Sequence, residues 1–188
     1  MIQHVNVKVF PSRAEATAPA EAESVLAAAP AVFHRWIRES VCQELLIDVA
    51  DYRHVPSGPG VVLVGHEANY SLDNGANRLG LLYNRKAPIQ ASAEENVAQA
   101  LGAALAACRR LEEEPEFAGR LRFGEAHEIE ITVNDRALAP NTDEAFASLR
   151  PAIQRALAAT YGGVEFGLER QGDARERLRI AVHARREQ

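Results

Sequence analysis

Glu44-Leu45-Leu46-Ile47-Asp48-Val49-Ala50-Asp51-Tyr52-Arg53-His54 opens the stretch that decides the fold. A Pro/Gly turn follows, then Val61-Val62-Leu63-Val64-Gly65-His66-Glu67-Ala68-Asn69-Tyr70, an Asp73-Asn74-Gly75 turn, and Arg78-Leu79-Gly80-Leu81-Leu82-Tyr83-Asn84-Arg85-Lys86. Runs rich in β-branched and aromatic residues between strong turn signals read as a three-stranded meander. Closing Val55–Pro59 as a loop sets Tyr52 opposite Val62, Ala50 opposite Val64 and Asp48 opposite His66. Closing the second turn with Asp73 opposite Asn77 sets Asn84 on the other side of His66. Side chains alternate across a strand, so this register sorts the residues by face. One face holds Leu45, Ile47, Val49, Val61, Leu63, Leu79, Leu81 and Tyr83, a core face. The other gathers Asp48, Tyr52, His66, Tyr70 and Asn84 among small and aliphatic side chains.

Upstream, Val5, Val7 and Val9 alternate with Asn6, Lys8 and Phe10 as a first strand that Pro11 ends. Residues 12–29, rich in Ala and Glu, read as a linker or a short weak helix, and their composition favours a mobile connection. Pro30 suits a helix first turn, and Phe33, Trp36, Ile37 and Val41 form the apolar stripe after it. Downstream, Ser92 and Glu95 form a capping box for a long helix with Val97, Leu101, Leu105, Cys108 and Leu111 on one face. Its end, Glu112-Glu113-Glu114, reads as a solvated acidic turn. Leu121 and Phe123 are expected to form a hairpin with Ile129, Ile131 and Val133, pairing Arg122 with Glu128 and Arg120 with Glu130. Asn141 is the expected cap of a third helix carrying Phe146, Leu149, Ile153 and Leu157. A last hairpin sets Val164, Phe166 and Leu168 against Leu178, Ile180 and Val182.

The order β, α, βββ, α, ββ, α, ββ has short connections and one apolar face per element. The simplest solution is α+β: a two-layer sandwich, a largely antiparallel sheet with three main helices on one face. The 188 residues are expected to form a single domain.

The net charge of −5 does not favour nucleic acid or an anionic membrane, both of which reward basic surfaces. The sequence shows no long apolar run and no signal-peptide layout, and its two cysteines form no CxxC, so a cytoplasmic setting is expected. No cofactor is implied: Gly58-Pro59-Gly60 lacks the Gly-Lys-Ser/Thr ending of a phosphate loop. No metal site is expected either, because there is no HExxH and no His pair at ligand spacing.

The segments Phe33-His34-Arg35-Trp36-Ile37, Leu46-Ile47-Asp48-Val49-Ala50-Asp51-Tyr52-Arg53-His54-Val55 and Gly65-His66-Glu67-Ala68-Asn69-Tyr70-Ser71-Leu72-Asp73 resemble those of an uncharacterised bacterial protein family. The resemblance extends through Asn134-Asp135-Arg136 to Pro140-Asn141-Thr142. It implies no activity, cofactor or catalytic residue.

Asp48 beside His66 is the sharpest constellation, since a carboxylate fixes an imidazole tautomer and raises its basicity, as a general base needs. Tyr52, Tyr70 and Asn84 would add hydrogen bonds to a polar ligand. The plainer reading is a structural ion pair on a sheet face, at an oligomer interface. Two functions stay open. One is a non-catalytic binding or accessory protein that meets a protein partner or a second copy through its polar sheet face. The other is a small enzyme using His66, oriented by Asp48, on a small polar substrate.

Overall fold

The computed structural model describes residues 2–12, 19–55, 58–124, 128–162 and 164–184. It is an α+β fold built on one eight-stranded sheet. The elements are β1 (Val5–Val9), α1 (Pro19–Glu39), β2 (Leu46–Asp51), β3 (Val61–Gly65), β4 (Ala68–Asp73), β5 (Gly80–Arg85), α2 (Ala93–Glu113), β6 (Ile129–Val133), α3 (Asp143–Tyr161), β7 (Phe166–Gln171) and β8 (Leu178–Ala184). The strand order is β2-β3-β4-β5-β1-β6-β8-β7. Every neighbouring pair is antiparallel.

The three helices lie against the face that carries Leu63, Tyr70, Tyr83, Val7, Ile131 and Ile180 in one cross-strand row. The Ser92 capping box forms as expected: its hydroxyl accepts from the Glu95 N–H, and the Glu95 carboxylate accepts from the Ser92 N–H at 2.8 Å. The stripe Val97, Leu101, Leu105, Cys108 and Leu111 is buried against the sheet.

The meander has four strands, not three. His66 and Glu67 form a two-residue turn between β3 and β4, where a continuous strand was expected. Gly65 permits the sharp reversal, because a Cβ there would come within 2.4 Å of the Ala68 carbonyl. The β2–β3 register is also displaced by two residues: Tyr52 donates to the Gly60 carbonyl at 2.8 Å, Ala50 faces Val62 and Asp48 faces Val64. A bulge at Ile47 then reverses the start of β2, so Leu46 is buried while Leu45 and Ile47 stand exposed. From Val49 onward the expected core face holds.

Of the segment read as a mobile linker, residues 19–29 form the first half of α1, with Ala22, Val25, Leu26 and Ala29 buried. Burial of this face outweighs its weak local signal and the loss of one backbone bond at Pro30. Leu121 and Phe123 are buried but do not form a strand; β6 pairs with β1 and β8 instead. The proposed Arg/Glu ladder is absent from this arrangement: Arg120 approaches Glu21 at 3.7 Å and Glu128 pairs with Arg78 at 2.7 Å. The turn of that expected hairpin, residues 125–127, falls outside the described residues.

Thr142, not Asn141, caps α3, its hydroxyl accepting from the Ala145 N–H. Asn141 is buried and instead donates to the Gln171 and Asp173 carbonyls, both at 2.9 Å. Of the acidic end of α2, Glu113 is exposed as expected, but Glu112 is half-buried and Glu114 is not solvated. Glu114 is buried and accepts from the Trp36 indole N–H at 2.6 Å and from Arg35, tying α1 to the Pro115–Phe117 turn.

Candidate functional site

The residues expected to form a site are dispersed. His66 sits exposed on its turn, held by its backbone N–H to the Leu45 carbonyl at 2.8 Å. Asp48 lies on the edge strand β2 opposite Val64, its carboxylate accepting from the adjacent Val49 N–H at 2.7 Å. The expected Asp48–His66 pair does not form, because the displaced register sets Asp48 opposite Val64 and the unrecognised turn takes His66 out of the ladder. Tyr52 is exposed just beyond β2. Asn84 pairs with Asn69 on one side and Asn6 on the other, and Val64 and Asn69 separate it from Asp48 along the same row. Tyr70 is on the opposite, helix-covered face, since a two-residue turn reverses the alternation beyond it.

Tyr70 is instead part of a second cluster, which the sequence reading missed. Ser40, with φ +50, stops α1, and residues 41–45 run as a strap back to β2. The strap carries Cys42, Gln43 and Glu44 over one end of the helix-covered sheet face. Tyr70 and Tyr83 are direct cross-strand partners there, their rings edge-to-face at 5.2 Å. The Tyr70 hydroxyl donates to Glu44 at 2.7 Å, and the Tyr83 hydroxyl lies 3.4 Å from its other oxygen. Gln99, two turns into α2, donates to the Tyr83 hydroxyl at 2.9 Å.

This cluster borders a groove of about 510 Å³ between the strap and α2. Ala98, Gly102, Ala103 and Ala106 form its floor, and Trp36 and Val41 line the wall toward α1. On the other side of Glu44 and Gln99 lies a hollow of about 400 Å³ that His66, Glu67 and Arg85 line. His66 therefore borders a cavity, but without the carboxylate expected to orient it.

The electrostatics leave the thiol and the two phenols of this cluster protonated. Burial, and secondarily the Glu44 charge, push the Cys42 thiol up to about 11. It is therefore a protonated thiol near neutral pH rather than an activated thiolate. Burial and the Glu44 hydrogen bond likewise raise Tyr70, and burial raises Tyr83, so both hydroxyls remain donors. Among the described residues no group of three or more His, Cys, Asp and Glu side chains is placed to hold a metal ion. Also among them, no helix is long and apolar enough to cross a membrane.

Glu44, Tyr70, Tyr83 and Gln99 come from a strap, two strands and a helix. Only the tyrosines carried a sequence signal, and that signal depends on the β4–β5 register. Comparison with protein-family models, curated proteins and solved structures gives no match for this chain.

Proposed function

We propose that the protein is a non-catalytic binding protein whose ligand site is the groove between the 41–45 strap and α2. One observation carries this reading: the hydroxyls of Tyr70 and Tyr83 reach Glu44, and the Gln99 amide holds the Tyr83 hydroxyl, at the rim of a groove of about 510 Å³. That volume suits a metabolite-sized ligand, and a few convergent polar groups over an apolar floor are the usual makeup of such sites. The uncovered sheet face, the site first expected, has less to offer a ligand. Its buried lysine is already committed, with Lys8 reaching across Gly80 to Asp73 and lying over Phe10. Amide-resolved NMR of the full chain during titration with a fragment library tests the reading. Shifts clustered on Gln43, Glu44, Gln99 and Gly102 support it. Shifts confined to β1, β6 and β8, or none at all, overturn it.

The oligomer reading also has its own observation. Leu45, Ile47, Tyr52 and Val55 all stand exposed along the β2 edge, at 69%, 54%, 42% and 40%. A second copy of the chain is the proposed cover. Light scattering of wild type and Ile47→Glu checks it: a dimer that becomes a monomer in the variant supports the reading, and a wild-type monomer ends it. A cytoplasmic setting belongs to the same proposal, supported by two free thiols, one of them fully buried.

A further inference from the structure

We infer that the groove takes an organic cation, an alkylammonium head with an apolar body; this rests on the groove being the binding site. Glu44 is the reason. It is half-buried and borders both hollows. Its partners are two phenol hydroxyls, which are neutral. The cations nearby are committed elsewhere. Arg110 pairs with Glu39 at 3.3 Å and Glu114 at 3.5 Å. Arg85 pairs with Glu67 at 3.2 Å and donates to the Ala87 carbonyl at 2.8 Å. Lys86 donates to the Gly65 carbonyl at 2.5 Å. Among the described residues Glu44 makes no ion pair; Arg110 lines the same groove and Arg85 the adjoining hollow, but each is bonded to other carboxylates, so the rim carries one carboxylate with no direct cationic partner. Two phenols hold that carboxylate in place without neutralising it, which is the arrangement an incoming ammonium needs.

The rest of the groove fits the remainder of such a ligand. The floor of small side chains leaves space, and at Gly102 an added Cβ would meet nothing within 4 Å. A chain of methylenes lying there would lose water against Ala98, Ala103 and Ala106, with Tyr70, which bonds to Glu44, beside the head. An anionic ligand would face the uncompensated Glu44, and a neutral one would leave its charge unanswered.

Calorimetric titration of the full chain with hexylammonium, hexan-1-ol and hexanoate tests the inference, with Trp36 fluorescence as a second readout. Hexylammonium is expected to bind at least about tenfold more tightly than either of the others, as a charge-assisted hydrogen bond predicts. Glu44→Gln should bring hexylammonium down to the level of hexan-1-ol. Gly102→Leu, a change on an open helix face, should weaken all binding by filling the floor. If wild type binds the three probes equally, or Glu44→Gln leaves hexylammonium unchanged, the cation assignment falls. The groove survives that failure if Gly102→Leu still weakens binding. If Gly102→Leu changes nothing, the groove reading falls with it.

Discussion

The Tyr70 hydroxyl donates to the carboxylate of Glu44 at 2.7 Å, joining a strand to the strap that leads into the edge of the same sheet. Tyr70 is 3% exposed, so this bond is made in a dry setting where an unanswered polar group is costly. Tyr70→Phe keeps the ring contact with Tyr83 and removes only the donor. It should lower stability by about 1.5–3 kcal/mol, the range for a hydrogen bond to a charged group. Urea titration checks this; a loss under about 0.5 kcal/mol would mean that water replaces the phenol at no cost.

Leu101 and Gly102 are neighbours on α2 with opposite surroundings. Leu101 is fully buried against the sheet, whereas Gly102 faces open space. Leu101→Ala should cost about 2–5 kcal/mol through the cavity it leaves. Gly102→Ala should stabilise by roughly 0.5–1 kcal/mol by restricting the unfolded chain and favouring helix. Thermal unfolding of the two variants should move in opposite directions. Movement of both in the same direction would contradict the orientation of α2.

Glu116 supplies a pH-dependent contact. The Arg35 guanidinium, bonded to it at 2.7 and 2.9 Å, holds the Glu116 carboxyl down to about 2. A carboxyl lowered in the folded state contributes stability in full above its ordinary value of about 4.3 and loses it as pH falls toward 2. Trp36, the one tryptophan, lies next to Arg35 and bonds to Glu114. Its fluorescence during unfolding between pH 5 and pH 2 should show stability falling with acid, and Arg35→Gln should flatten that fall. Identical acid profiles for both proteins would remove the ion pair from the account.

Asp48 makes a local contact on the sheet edge in place of the His66 pair expected of it. Its carboxylate covers the Val49 N–H, on the strand that ends the sheet. A capped N–H beside a charge discourages backbone strand addition, so the copy proposed to cover Leu45 and Ile47 would pack on their side chains without extending the sheet into larger assemblies. Asp48→Ala should change stability by no more than about 0.5 kcal/mol, as exposed sites usually do. It should nonetheless raise concentration-dependent light scattering, and Asp48→Asn, which keeps the acceptor, should scatter less than Asp48→Ala. Equal scattering by wild type and Asp48→Ala would discard this role.

The amphipathic periods were local and survived. The Ser92 box starts α2 where the pattern says, and the stripe from Val97 to Leu111 faces the sheet, because capping and period depend on residues a few positions apart. The alternation in β1 and in β3 likewise assigns Val7, Val9, Val61 and Leu63 to the core. Strand content, helix content and the antiparallel α+β arrangement follow from these local patterns. The first half of α1 was less legible, since its Ala- and Glu-rich sequence becomes a buried helix only when the sheet is there to cover it.

The site depended on register, which is non-local. His66-Glu67 carries no Asn-Gly or Pro-Gly signal, so the turn there is fixed by the tight approach of Gly65 to Ala68 and by the pairing of β3 with β4. One missed turn reverses the face of every residue after it, which moved Tyr70 from the polar face to the helix-covered one. A second misplacement, in the β4–β5 loop, reversed the faces again and left Asn84 where it was expected for an unrelated reason. The sequence alone therefore determined most of the elements and the apolar faces of β1, β3, β5, β8 and α2, because those are set by periods of two and 3.6 residues. Only the tertiary structure decided that Glu44 meets Tyr70, Tyr83 and Gln99, because that meeting requires a strap, two strand registers and a helix position to be right together.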